Sequence, residues 1–191
     1  MAETSARKGK PIPLIALAAG AVVALLVGVV GKAHDPSLDG TTTLGFQTVV
    51  DMKVVLSMVI GVLAVLQVIG ALWIYGRLGI DAPSWVGKAH RFSGTFVLVL
   101  TGFVAYHCLW TQGLPTGTLE NGEDVSTRTV VHGVLGCAVL GAAVVKVVAV
   151  RSRRAPGWFL PMAGTLLFSL LAISVLTSAV WYVGEQGWPT P

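Results

Sequence analysis

The chain has 191 residues, of which 54% are hydrophobic and only 12% are charged, and its mean hydropathy of +0.77 is high for a soluble domain. The formal net charge of +4 comes from basic residues that flank apolar segments, which is typical of a membrane protein rather than a nucleic-acid-binding one. The sequence has no Gly-rich phosphate loop, nucleophile elbow or zinc motif, so it lacks the usual signatures of soluble enzymes.

Five apolar segments follow one another along the chain, and each is long enough to cross a bilayer, which takes about 20 residues. Their approximate bounds are 13–31, 52–75, 85–110, 129–150 and 158–183. The first segment follows basic residues as a signal peptide would, but its apolar run is longer and predicts a retained helix. Gly20, Ala24 and Gly28 recur in it at four-residue intervals, which lets a second helix pack closely. The sequence therefore predicts a single all-α domain, 1–191, of five transmembrane helices.

The lysines and arginines divide unevenly between the two ends of these segments. Nine lie on the side of the N-terminus, and three lie on the opposite side, namely Lys32, Lys53 and Arg128. Because cytoplasmic loops are enriched in basic residues, we expect a cytoplasmic N-terminus and an outer C-terminus, in a bacterial inner or plasma membrane. Asp51 and the other acidic residues of the outer loops are expected outside the spans.

Polar side chains within the spans are candidates for function, because a polar group inside a bilayer is costly without a partner. His107 lies one turn before the outer end of the third segment, and His132 lies one turn after the outer start of the fourth. Two imidazoles at one depth on two helices can be the axial ligands of a six-coordinate haem b. Gly136 and Ala143 share the His132 face of the helix and would leave room for the macrocycle. The alternative is that both histidines are polar end groups.

His90 and Lys146 lie near the inner ends of the same two segments. Turned inward, they would define a second site about 21 Å from the first, from 14 residues at a rise of about 1.5 Å. His90 also lies between two basic residues, Lys88 and Arg91, and a lysine can extend its amine to the headgroups. A location in the headgroup region is therefore the alternative for both residues.

Three further side chains in the spans are candidates for smaller roles. Gln67, in the middle of the second segment, could hydrogen-bond a quinone or a neighbouring helix. Cys108 and Cys137 are expected at different depths, too far apart for a disulfide, which joins Cα atoms less than about 7 Å apart.

Residues 87–150 resemble the membrane cytochromes of the cytochrome b561 and ferric-reductase-like group. The matching residues are His90 and His107 in HRFSGTFVLVLTGFVAYH, and His132 in HGVLGCAVLGAAVVK. The resemblance implies that these three histidines bind haem iron near both ends of paired helices, with Lys146 at the position of a fourth ligand. The rest of the chain resembles membrane helices in general, and the whole resembles a family of small bacterial membrane proteins.

These features predict a membrane b-type cytochrome with one haem b, or two if the inner residues also bind one. It would relay electrons between a quinol or a partner protein and an outer-side acceptor, as a respiratory-chain component rather than a self-contained enzyme. Its expected partners are membrane lipid and a redox partner or larger membrane complex. The alternative is a cofactor-free structural or assembly subunit of such a complex, because the small-residue stripes of the first and fourth segments could bind other helices.

Overall fold

The computed structural model describes residues 12–114, 117 and 124–189, and these residues form helices and loops without a strand. The helices in this part of the chain are α1 Ile12–Ala33, α2 Val49–Ile74, α3 Val86–Gln112, α4 Thr127–Arg151 and α5 Phe159–Gln186. All five are long and apolar enough to cross a membrane, which confirms the predicted all-α, five-span architecture. The basic tail residues Arg7, Lys8 and Lys10 and most of the α3–α4 loop lie outside the described residues.

The direction in which the chain crosses the membrane stays a prediction. We call the end of the bundle with residues 34–48 and 124–126 the outer end, in keeping with that prediction, and the opposite end the inner end. Within the bundle, α4 packs against α1 and α5, and α2 packs against α3 and α5. Helices α3 and α4 touch only marginally, although they follow one another in the chain. Their separation leaves space in the middle of the bundle.

The predicted stripe of small residues on α1 is the surface that packs on α4. A Cβ atom added to Gly20 would lie 2.6 Å from the carbonyl oxygen of Gly141, closer than real Cβ atoms approach other atoms. Ala24 also lies against Gly141, and Gly28 faces Cys137. The small-residue stripes of α1 and α4 therefore bind each other within the chain.

Helix α2 begins earlier than its apolar run predicts, because Thr48 caps it. The Thr48 hydroxyl accepts a hydrogen bond from the Asp51 amide at 3.1 Å and donates one to the Asp51 carboxylate at 2.6 Å. The expectation that Asp51 lies outside the helix is therefore wrong. Asp51 lies in the first turn of α2 and is buried, and Lys53 lies in the next turn.

The inner half of the bundle is filled by a compact apolar cluster from α1, α4 and α5, consisting of Ala16, Val145, Ala149, Phe159 and Ala163. A second cluster, with members such as Ile60, Val97 and Leu171, lies nearer the middle. Towards the outer end, α5 contains one π-helical turn, Leu176–Val180, before its α-helical end, Trp181–Gln186. Such turns often occur at functional sites, and this one adjoins the space between α3 and α4.

Candidate functional site: a cavity at the outer end

A cavity of ≈ 530 Å³ lies among the five helices in the outer half of the bundle. Its wall on α3 runs from Thr111 down to Thr101, a depth of about 15 Å for ten residues. Most of the lining is apolar, and a few polar side chains converge on it from four helices: Lys53, Ser57, Thr101, Arg128, His132, Ser174 and Tyr182. Its volume and mixed lining are typical of a small-molecule site.

His132 lines this cavity from the second turn of α4. Its Nδ1 atom lies 3.5 Å from the hydroxyl oxygens of Ser174 and Thr177 on α5. Its Nε2 atom has no hydrogen-bond partner among the described residues. Gly136 also lines the cavity, but Ala143 packs against the apolar cluster instead, so only the outer part of the predicted His132 face of α4 borders open space. One nitrogen is thus positioned by hydroxyls, and the other is available to a ligand.

Two basic side chains border the same cavity. Lys53 is only 6% exposed, and its Nζ atom donates a hydrogen bond to the Thr111 hydroxyl at 3.3 Å. Arg128 donates from Nη1 to the Thr177 carbonyl at 2.8 Å, and its guanidinium carbon lies 3.5 Å from the centre of a Trp181 ring. No described residue pairs a carboxylate with either cation.

Thr101 marks the deep end of the cavity. It is 8% exposed, and its buried hydroxyl oxygen has no hydrogen-bond partner in the described part of the chain. A buried polar atom without a partner is costly, so such atoms usually indicate a bound water or ligand. Both cysteines, Cys108 and Cys137, are free thiols and also line the cavity.

His107 does not line the cavity. It is 2% exposed, its Nδ1 atom donates to the Phe103 carbonyl at 2.9 Å, and its Nε2 atom accepts from the Thr42 amide at 3.3 Å. The residues of α3 that do face the cavity include Val104 and Cys108. His107 is rotated about 100° from Cys108, towards the loop 34–48. The structure therefore does not bring the predicted His107–His132 pair together.

The outer loop is held against α3 by the neighbours of His107. The Trp110 carbonyl accepts a hydrogen bond from the Ser37 amide, and the Trp110 indole donates one to the Asp39 carbonyl. Tyr106 donates to the Gly40 carbonyl at 3.4 Å, and His34 stacks on Trp110 with ring centres 4.1 Å apart. His107 therefore belongs to a set of contacts that positions the loop.

The predicted inner residues lie apart from this cavity. The Nδ1 atom of His90 is buried and has no hydrogen-bond partner among the described residues. A Cβ atom added to Gly70 would lie 3.2 Å from this nitrogen. The amine of Lys146 lies against Gly164 of α5. Each polar side chain thus occupies the space that a glycine on the neighbouring helix leaves.

Gln67 donates a hydrogen bond from its amide to the Ser93 hydroxyl at 2.6 Å, which joins α2 to α3. Of the two roles predicted for this residue, the structure contains the contact with a neighbouring helix.

A family model matches residues 13–190, nearly the whole chain. The chain belongs to DUF6529, a family of unknown function. Neither the curated proteins nor the solved structures provide a significant match. In the described part of this DUF6529 protein, no three His, Cys, Asp or Glu residues are grouped so that they could hold a metal ion.

Sequence reasoning missed Lys53 and Thr101 as residues of the site. Lys53 lies near the end of an apolar run, so it was counted among the basic residues that indicate the orientation in the membrane. Ser57 follows it by four residues, however, and shares its face of α2. That spacing is the signal that could have found it. Thr101 has no such signal, since an isolated threonine in a membrane helix is common and usually bonds its own backbone.

Proposed function

We propose that the protein is a membrane b-type cytochrome that holds a haem b in the outer cavity, with His132 as an axial ligand of the iron. It would relay electrons between a quinol or a partner protein and an acceptor on the outer side of the cell membrane. The observation that carries this proposal is His132, whose Nε2 atom has no partner among the described residues while its Nδ1 atom is positioned by two hydroxyls.

The volume and the mostly apolar lining of the cavity suit a large and mostly apolar cofactor. A haem brings four ring nitrogens to the iron, so the protein must supply only the axial ligands. Hydrogen bonds at the second ring nitrogen fix the orientation of a ligating histidine, and Ser174 and Thr177 are placed to provide them. With His107 turned to the loop, His132 is the one imidazole at the described cavity wall, which favours an iron with a single histidine ligand.

Electron relay is the chemistry that suits such a site. The sequence has no nucleotide-binding motif, so electrons would come from a quinol in the membrane or from a partner protein. The cavity lies at the end of the bundle that is predicted to face outward, which favours an acceptor on that side. A second haem at His90 and Lys146 has less support, because both side chains pack against glycines of neighbouring helices, although the buried Nδ1 atom of His90 has no hydrogen-bond partner among the described residues.

The test is a reduced-minus-oxidised visible spectrum of the purified full-length protein in detergent, with a pyridine haemochrome assay to count haem per chain. We expect a b-type spectrum with one haem per chain. Addition of carbon monoxide to the reduced protein should shift the Soret band, because an iron with one histidine ligand keeps a position for an exogenous ligand. An unchanged band would point to two strong protein ligands.

A folded, colourless protein after expression with ample haem would overturn the proposal. The remaining candidate would then be the cofactor-free subunit of a larger membrane complex, to be tested by co-purification from native membranes. The structure weakens one reason for that alternative, because the small-residue stripes of α1 and α4 bind each other.

A further inference from the structure

We infer that the outer end of the cavity is an anion site, formed by Lys53 and Arg128, for the carboxylate of an amphipathic ligand whose apolar part extends into the bundle. The inference rests on the same cavity as the proposed function and specifies the ligand class. Haem propionates and the head of a fatty acid present this same chemistry, so the site can exist whether or not haem is the ligand.

Lys53 provides the first argument, because it is a buried cation with spare donors. Its ammonium group has three N–H donors, and the Thr111 hydroxyl accepts one of them at 3.3 Å. The residue is 6% exposed and begins the second turn of α2, within the apolar part of the chain. A buried charge is costly unless it is paired, and the described residues supply no carboxylate partner. An anionic ligand would supply that partner.

Arg128 provides the second argument, because its guanidinium is held in place by contacts that leave most of its donors available. The Thr177 carbonyl accepts from Nη1 at 2.8 Å, and the ring of Trp181 lies against the guanidinium face. A guanidinium has five N–H donors in a planar fork that matches a carboxylate. An arginine fixed in this way is prepared to bind an anion with little further loss of side-chain freedom.

The third argument is the absence of acidic residues from the described cavity wall. The buried acid of the first turn of α2, Asp51, is not among the residues that line the cavity, and its carboxylate is already hydrogen-bonded. Its carboxylate accepts from the Thr48 hydroxyl at 2.6 Å and from the Tyr182 hydroxyl at 3.2 Å. Two positive charges therefore face a cavity with low-dielectric walls, and such a cavity favours a negative ligand.

The deeper walls identify the ligand as amphipathic rather than as a small inorganic anion. Below the cations the cavity is bordered by apolar side chains, namely Ile60, Val104, Leu140 and Leu171. A phosphate or chloride ion has no apolar part that could contact them. Burial of hydrocarbon there is favourable, because it removes apolar surface from water. The unpartnered Thr101 hydroxyl at the deep end can bond a single polar atom of the ligand or a water.

The experiment compares ligands that differ only in their carboxylates. Protoporphyrin IX without iron and its uncharged dimethyl ester are titrated into the full-length protein in detergent. Quenching of the fluorescence of its six tryptophans, of which Trp181 lines the cavity, reports binding. Palmitate and hexadecanol form a second pair, measured by competition with the porphyrin. We expect each acid to bind about ten- to a hundredfold more tightly than its neutral counterpart, as for charged hydrogen bonds. Equal affinities within both pairs would overturn the inference.

Variants assign the effect to the two cations. Lys53→Met and Arg128→Gln should each remove most of the preference for the acid, whereas Lys32→Met, at an exposed cation of the same end, should not. Persistence of the full preference in both cavity variants would also overturn the inference. If a variant fails to fold, the inference is tested by the comparison of each acid with its neutral counterpart on the unaltered protein.

The outcomes separate this inference from the proposed function. Binding of palmitate and iron-free porphyrin by their carboxylates, in a protein that yields no haem spectrum, would support the anion site and reject the cytochrome. Haem bound through His132, with the dimethyl ester binding as tightly as the free acid, would support the cytochrome and reject the anion site.

Discussion

The outer and inner halves of the bundle contain the same kinds of polar residue but use them differently. The outer half has His132 and Lys53 around a cavity of ≈ 530 Å³. The inner half has His90 and Lys146, and each lies directly against a glycine of the neighbouring helix. The space beside a polar residue, rather than the residue type, distinguishes a candidate binding site from packing.

The glycines show the same difference. A Cβ atom added to Gly136, which borders the cavity, would meet no atom within 4 Å. One added to Gly70 or Gly164 would lie 3.2 Å from His90 or 2.8 Å from Lys146, respectively. Gly70 and Gly164 therefore accommodate large polar side chains of a neighbouring helix, whereas Gly136 borders open volume.

The largest expected effect is the loss of haem from the outer half. His132→Ala should abolish the b-type spectrum, because the iron loses the imidazole that lines the cavity. His90→Ala, the matching change at the inner end, should leave the spectrum intact. Both are measured as haem per folded chain by pyridine haemochrome. A spectrum lost in the His90 variant and kept in the His132 variant would show that the inner half, rather than the outer half, holds the haem.

A second pair of substitutions tests the open volume directly. Gly136→Leu should fold normally and lose porphyrin binding, because its side chain extends into the cavity. Gly70→Leu should destabilise the protein by about 1–3 kcal/mol, because its side chain collides with His90. Thermal unfolding in detergent measures the stability of both variants, and porphyrin titration measures binding. Equal destabilisation by the two changes would mean that the outer cavity is closed in solution.

A smaller effect is expected at His107, which holds the loop 34–48. His107→Ala should retain haem but speed hydrogen exchange at the Thr42 amide, because that amide loses its acceptor. The cost of one such hydrogen bond is about 1 kcal/mol. Hydrogen–deuterium exchange followed by mass spectrometry measures the effect, with a peptide from the inner end as a reference. Complete loss of haem in this variant would restore the predicted pair of axial histidines.

The smallest effect concerns the deep end of the cavity. Thr101→Val keeps the shape of the side chain and removes a hydroxyl that has no described partner, so the stability should change by less than about 1 kcal/mol. Porphyrin binding should weaken by no more than about tenfold, the value of one hydrogen bond. A large fall in stability would show that the hydroxyl has a structural partner instead of a ligand.

The fold could be predicted from the sequence because membrane spans are determined by length and hydropathy. All five predicted helices are present, with ends that differ from prediction by at most about three residues. The small-residue stripe Gly20, Ala24 and Gly28 also predicted a close helix contact correctly, since four-residue spacing alone defines the face. The start of α2 was missed because hydropathy ignores the polar cap formed by Thr48 and Asp51, and the contact of Asp51 with Tyr182, 131 residues away, cannot be read from the local sequence.

The candidate site could be predicted only in part, because depth along a helix is readable from one sequence but rotation about its axis is not. The sequence predicts for His107 a depth near that of His132. In the structure the His107 ring faces the loop, whereas Cys108, one position further, faces the cavity. One residue corresponds to about 100° of rotation. The facing of α4 was predicted better, because Gly136, four residues after His132, marked the side that lines the cavity, whereas α3 offered a single histidine.

The π-helical turn Leu176–Val180 determines the phase of the last part of α5. A π turn holds about one residue more than an α turn, so the residues after it are rotated by about 100° relative to an uninterrupted α-helix. Arg128 depends on this irregularity twice, through the Thr177 carbonyl inside the turn and the Trp181 ring just after it. The outer end of the cavity thus depends on the number of backbone residues in one turn. Deletion of Val180, which is not among the residues that line the described cavity, would redirect Trp181 while keeping every side chain of the site in the sequence.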